Sequence, residues 1–146
     1  MKGNSRFTDD EWDLRPFITK KTTKDSHKYI RFDFIHNEDM KFTVKQYAYY
    51  KLGTINPKSL RDYINGCLPN FIEYCSLNDI NSFTNITQRD FLEFNLWLKE
   101  TKKLSAGTGY LYSYVIEDLI KTGQIKNWNV PQNNIFRGVT SGQLWN

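Results

Sequence analysis

Hydrophobic positions change their spacing once along this chain, and the change divides it. From His27 to Ile35 the sequence HKYIRFDFI alternates, with Ile30, Phe32 and Phe34 between Tyr29, Arg31 and Asp33. A period of two predicts a short strand with one face buried. Pairing with the chain near Phe17-Ile18 would make a small hairpin. After Asn37 the spacing becomes helical. Met40, Val44, Tyr47 and Ala48 fall at i, i+4, i+7 and i+8, behind Asn37 as cap. Gly53 is expected to end this helix as a left-handed glycine. A second helix starts at Asn56-Pro57, cap followed by proline at the first helical position. Its stripe is Leu60, Ile64, Cys67, Leu68, Phe71 and Cys75, with Pro69 inside it, which predicts a kink.

Thr87-Gln88-Arg89-Asp90 has the form of a capping box, and Phe91, Leu92, Phe94, Trp97 and Leu98 follow as a third buried face. Ser105 caps a fourth helix carrying Leu111, Val115, Ile116, Leu119 and Ile120, expected to close at Gly123. Beyond Val130-Pro131 the periodicity is lost. The expected architecture is all-α: a four-helix bundle over 37–131, a short β-strand or hairpin extension over 1–36, and a polar tail or linker over 132–146.

At 146 residues, with 16% aromatics and 25% charged side chains, the chain is long enough for one core without metal or disulfide. Cys67 and Cys75 lie eight residues apart in one expected helix, about 12 Å, too far to be bridged. Reduced core thiols are therefore expected, in keeping with an intracellular protein. No apolar run approaches the ~18 residues of a membrane span. With only His27 and His36 beside the cysteines, neither a zinc site nor a histidine-based triad is expected. No glycine-rich phosphate loop follows a strand. No cofactor, metal or membrane partner is expected, and the chain itself is expected to be non-catalytic.

What remains is a basic binding surface. Net charge is +4, and the first 40 residues are neutral, with eight basic and eight acidic side chains. The excess therefore lies from Lys41 onward. Lys41 and Lys45 share a face of the first helix. Lys58, Ser59 and Arg61 crowd the start of the second. Lys103 precedes the fourth, whose first turns carry Ser105, Thr108, Tyr110 and Tyr112 around Gly107 and Gly109. A helix N-terminus offers free N–H groups and partial positive charge to phosphate, and hydroxyls and tyrosines add contacts to backbone and sugar. A bare set of solvated lysines would look similar in sequence.

Several segments, in order, resemble the N-terminal core-binding (SAM-like) domain of tyrosine recombinases and phage-type integrases. They are Lys58-Ser59-Leu60-Arg61-Asp62-Tyr63, Phe71-Ile72-Glu73-Tyr74-Cys75, Ile86-Thr87-Gln88-Arg89-Asp90-Phe91, Leu104-Ser105 to Thr108, and Trp128-Asn129-Val130-Pro131. The extension, with Trp12-Asp13-Leu14, Ile30 to Ile35 and Lys41 to Lys45, is similar to large integrase-like transposases of mobile elements. The resemblance spans about residues 10–136. It implies a module that clamps duplex recombination-site DNA for integration and recombination, its second and fourth helices approaching the major groove. Carried to this chain, the contacts would be Lys58, Ser59, Arg61, Ser105, Thr108, Tyr110 and Tyr112. Other recombinase subunits would be the second class of partner, with Tyr47, Tyr49 and Tyr50 as exposed docking aromatics. A bacterial or phage-derived cytoplasmic protein, nucleoid-associated when bound, is implied. The family's catalytic Arg, Lys, His-x-x-Arg and Tyr have no counterpart after residue 131, so the enzyme would be the parent protein.

Overall fold

The computed structural model describes residues 5–18 and 28–146. His27, at the start of the expected strand, lies outside the described residues. The chain is mostly helical, with one two-stranded antiparallel ribbon ahead of the helices. The ribbon joins β1 (Glu11–Asp13) to β2 (Tyr29–Arg31), with Trp12 opposite Ile30. The strand is thus shorter than its alternating pattern. Its partner is Glu11–Asp13, whereas Phe17 belongs to a 3-10 turn at Arg15–Phe17. The apolar side wins the register: Trp12, Leu14, Ile30 and Phe32 are fully buried, and the Trp12 and Phe32 rings meet edge to face at 4.7 Å.

The helices are α1 (Glu38–Lys51), α2 (Pro57–Arg61), α3 (Leu68–Leu77), α4 (Gln88–Glu100), α5 (Ala106–Lys126) and α6 (Ser141–Leu144). Their starts follow the expected caps. Asn37, Asn56 and Ser105 accept from the N–H groups of Met40, Ser59 and Thr108, and Thr87 with Asp90 forms a reciprocal capping box. α5 runs through the middle of the bundle, packing Val115, Ile116, Leu119 and Ile120 against its neighbours. Aromatic rings of α3 and α4, Phe71, Tyr74, Phe94 and Trp97, fill the space between those helices at centroid distances of 4.9–6.2 Å.

Between α2 and α3 the backbone runs through a π-helical segment, Asp62–Cys67. Pro69 explains its place. In an α register proline would leave the Asn65 carbonyl without a donor and crowd it. The chain instead makes a wide turn, in which the Leu68 N–H donates to the Tyr63 carbonyl five residues back. The helix defect expected at Pro69 takes the form of this turn, set ahead of the proline. The turn has a structural consequence. Asn65 on the π segment accepts from the Arg31 N–H at 3.0 Å and donates to the Arg31 carbonyl at 2.7 Å, so its amide closes the outer edge of β2.

Three expected ends are corrected. Gly53 does not take a left-handed conformation; Gly138 is the positive-φ glycine among the described residues. Gly123 does not close α5, which continues to Lys126 and ends at Asn127, φ 60°. The Gly123 Cα is needed bare for another reason: a Cβ there would lie 2.8 Å from Val130. Residues 132–146 are not a polar tail. Ile135, Phe136, Ser141 and Trp145 are buried, and α6 folds back across α5. The Trp145 indole N–H donates to buried Asn95 on α4 at 2.6 Å.

The two thiols are free and buried, and burial pushes both up to about 12. They are core residues with little thiolate at neutral pH.

Candidate nucleic-acid interface

The basic residues singled out in the sequence separate into two groups. Lys41 and Lys45 do share a face of α1, but that face is covered by the N-terminal arm. Both ammonium groups hold Asp10, at 3.0 and 3.1 Å, and Lys45 also donates to the Thr8 carbonyl. Their side chains are only 11% and 7% exposed. They fasten the arm to the bundle, and a phosphate would have to displace Asp10 to reach them.

The second group lies on the other helices. At the start of α2, Lys58 is exposed and Arg61 and Ser59 are half-buried. Asp62 sits 3.6 Å from Lys58 and 3.7 Å from Arg61, so the local charge is partly neutralised. At α5, Ser105, Gly107, Thr108 and Tyr110 are exposed around the helix N-terminus. The Ser105 hydroxyl donates to the Thr108 hydroxyl at 3.1 Å, which leaves the oxygens on the surface. Lys103, left-handed at φ 54°, is exposed immediately ahead and has no ion-pair partner among the described residues. Lys102 is held by Glu73 at 3.0 Å, and Lys99 donates to the Leu144 carbonyl over the Trp145 ring.

The two glycines of the first α5 turn have different surroundings. A Cβ on Gly107 would meet open space. A Cβ on Gly109 would overlap the Trp145 ring, so the close approach at Gly109 is internal to the fold and not made to a ligand. Tyr112 also points inward: it is half-buried, and burial followed by the nearby Cys67 raises its phenol pKa.

A row of tyrosines joins the two helix starts. Tyr110 stacks on Tyr114 at 6.0 Å, and Tyr114 meets Tyr63 of the π segment at 6.5 Å. The i, i+4 spacing of Tyr110 and Tyr114 was visible in the sequence, but their junction with Tyr63 depends on how α5 crosses the π turn. Tyr63 and Tyr114 are half-buried, as helical packing predicts. Beneath them lies a polar knot. Buried Tyr47 donates to Asp118 at 2.6 Å, and Lys51 pairs with the same carboxylate at 2.7 Å. Burial, then the Asp118 charge, pushes the Tyr47 phenol far above its ordinary value. Tyr47 is therefore not a docking aromatic. Tyr49 and Tyr50 are exposed, beside exposed Phe42.

Glu117 and Asp118 face apart, as expected of adjacent helical positions. Asp118 serves the knot, whereas Glu117 accepts from the Ser141 N–H at 2.8 Å and pairs with Lys121. Burial opposes ionisation of Glu117, but hydrogen bonds from Lys121 and from Ser141 outweigh it and lower the pKa. Asp10 is likewise lowered, first by Lys41 and then by Lys45. A lowered carboxylate stabilises the fold above its ordinary value and loses that contribution as pH falls through the folded value. The windows open below 3.8 for Asp10 and 4.5 for Glu117. Acidification should release the arm and α6 before the helical core. Followed by the Trp12 and Trp145 indole N–H signals from roughly pH 5 to 2, both should shift ahead of helix loss. Indole signals that change only with the helical signal would contradict this.

Among the described residues no group of three or more His, Cys, Asp or Glu could hold a metal ion, and no helix is long and apolar enough to cross a membrane. The chain matches no protein-family model, and no curated protein or solved structure matches it.

Proposed function

We propose that this chain is the DNA-binding (core-binding, SAM-like) module of a site-specific tyrosine recombinase, gripping duplex DNA through the starts of α2 and α5. The observation that carries this reading is the row Tyr63–Tyr114–Tyr110. It connects the basic first turns of α2 to the exposed, hydroxyl-rich N-terminus of α5. Free N–H groups of the first α5 turn and the Thr108 hydroxyl, whose own proton the Ser105 bond leaves free, would take phosphate oxygens. Lys58 and Lys103 would supply charge, and Tyr110 would pack on a sugar. Lys41 and Lys45 do not belong to this surface, because Asp10 holds them.

The test is substitution at exposed positions whose loss leaves the core intact. Lys58→Ala and Lys103→Ala should each weaken duplex binding by a similar factor across unrelated sequences and lower the salt slope by about one each. Thr108→Glu, which places a negative charge on the phosphate path, should abolish binding at moderate salt. Unchanged affinity in all three variants would place the DNA elsewhere.

The alternative is a module that docks neighbouring recombinase subunits. A cleft of about 430 Å³ favours it, lined by Phe7, Tyr49, Tyr50 and Trp128 with Lys126 over the Tyr50 ring at 5.1 Å. Salt-insensitive self-association that Tyr49→Ala removes, without any duplex binding, would select that reading.

A further inference from the structure

We propose that the cavity between β2 and the π segment is a pocket for a guanine base, with Arg61 and Asp33 reading its two edges. This does not rest on the duplex-binding reading. The cavity measures about 410 Å³, within the range of small-molecule sites. Tyr29, Phe34, Arg31, Asp33, Arg61 and Asn65 line it. Its frame is fixed by the two hydrogen bonds that tie Asn65 to the backbone of Arg31.

Two of its polar groups, the Arg61 Nε and the Asp33 carboxylate, are left without a hydrogen bond among the described residues, while Arg61 Nη1 lies 3.7 Å from Asp62. The Arg61 Nε is buried and makes no hydrogen bond. A buried donor left unpaired is costly, and turning the Arg61 side chain toward the cavity would give that N–H an acceptor on a ligand bound there. The exposed Asp33 carboxylate has no ion-pair or hydrogen-bond partner among the described residues. Arg31 is different, since its guanidinium is already on Glu11 at 3.0 Å.

Charge decides against a simple anion. Arg31 and Arg61 are matched locally by Glu11, Asp33 and Asp62, so a bare phosphate or carboxylate would enter a site with no positive excess. A neutral ligand with an acceptor edge, a donor edge and flat faces suits the lining better. An arginine fork wants two adjacent acceptors, and a carboxylate wants two adjacent donors. Guanine offers both: O6 and N7 on one edge, N1–H and the exocyclic amine on the next. Adenine mixes donor and acceptor on its N6/N7 edge, and the pyrimidines lack one edge or the other. Tyr29 and Phe34 supply aromatic surface against the base.

The experiment is a titration of the full chain, followed by the amide signals of Phe34 and Asn65 and the Arg61 Nε–H signal. The probes are dGMP, dAMP, inorganic phosphate, and a short oligo(dT) strand carrying one central guanine. Saturable shifts with dGMP, about tenfold weaker or absent with dAMP and absent with phosphate, are expected. Tighter binding of the oligonucleotide would identify the source as an unpaired strand, and binding of dGMP alone a free nucleotide; either supports the pocket. Asp33→Asn, an exposed position without partners, should keep the fold and lose about tenfold in dGMP affinity. Arg61→Lys should do the same, with duplex affinity followed in parallel to separate this site from the α5 surface. Equal shifts with dAMP, the same shifts with phosphate alone, or no shifts at all would overturn the proposal.

Discussion

Gly109→Ala should destabilise the protein by about 2–4 kcal/mol, whereas Gly107→Ala, two residues earlier on the same helix, should be neutral or mildly stabilising. The difference lies wholly in what each missing side chain faces. At 107 a methyl meets open space, and alanine gains the helix propensity that glycine lacks, up to about 1 kcal/mol. At 109 the methyl would occupy the volume of the Trp145 ring. The indole would have to leave. With it would go a buried aromatic side chain, worth about 3–5 kcal/mol on truncation, and the bond from its N–H to Asn95. Asn95 would keep its own amide on the Phe91 carbonyl but lose the partner of its oxygen. Urea unfolding of the two variants measures the contrast. If Gly109→Ala unfolds at the same midpoint as Gly107→Ala, the C-terminal segment does not pack as described.

Asp118→Ala should cost about 3 kcal/mol, because it strands two partners at once. Lys51, only 12% exposed, would lose its counter-charge, and the buried Tyr47 hydroxyl its acceptor. The double replacement Lys51→Met with Asp118→Leu should recover much of that loss, since apolar groups of similar size often replace a buried pair at little cost. Tyr47→Phe should cost less than Asp118→Ala, because the ion pair survives it. A cost below about 1 kcal/mol for Asp118→Ala would mean that the pair is solvated and contributes as a surface pair does. Tyr63 and Tyr114 lie over this knot, so its loss should also disturb the tyrosine row between α2 and α5.

Local chemistry was readable in the sequence wherever it was strong. Asn37, Asn56-Pro57, Thr87 with Asp90, and Ser105 each mark a helix start because capping is settled within four residues. Pro69 announced a defect, but not its form. The π turn that takes up the defect packs against α5 and β2, with the Asn65 clasp on Arg31, and those partners are distant in sequence. The C-terminal fold was hidden because Ile135, Phe136 and Trp145 are spaced too widely for any period to register.

For the candidate surface, residue type was legible and availability was not. Lys41 and Lys45 have the same spacing on paper as any exposed pair, yet Asp10, more than thirty residues earlier, holds both. Gly107 and Gly109 look alike in the sequence, and the ring that fills the space at Gly109 comes from 36 residues downstream. Tyr112 and Tyr110 differ by two positions and so face different sides of α5, one toward Cys67 and one outward. The guanidinium and carboxylate of the β2 cavity carried no sequence signal, since Arg61 and Asp33 come together only through the ribbon and the π turn.

The central claim, that the starts of α2 and α5 hold duplex DNA, is tested most directly by titrating the chain into labelled duplex and following anisotropy at about 50 and 200 mM salt. Binding at the lower salt that falls by an order of magnitude or more at the higher is the predicted result, and Thr108→Glu should remove it. Absence of binding at the lower salt, or binding that ignores salt, would contradict a phosphate-gripping surface and leave subunit docking through the Tyr49 and Tyr50 cleft as the account to pursue.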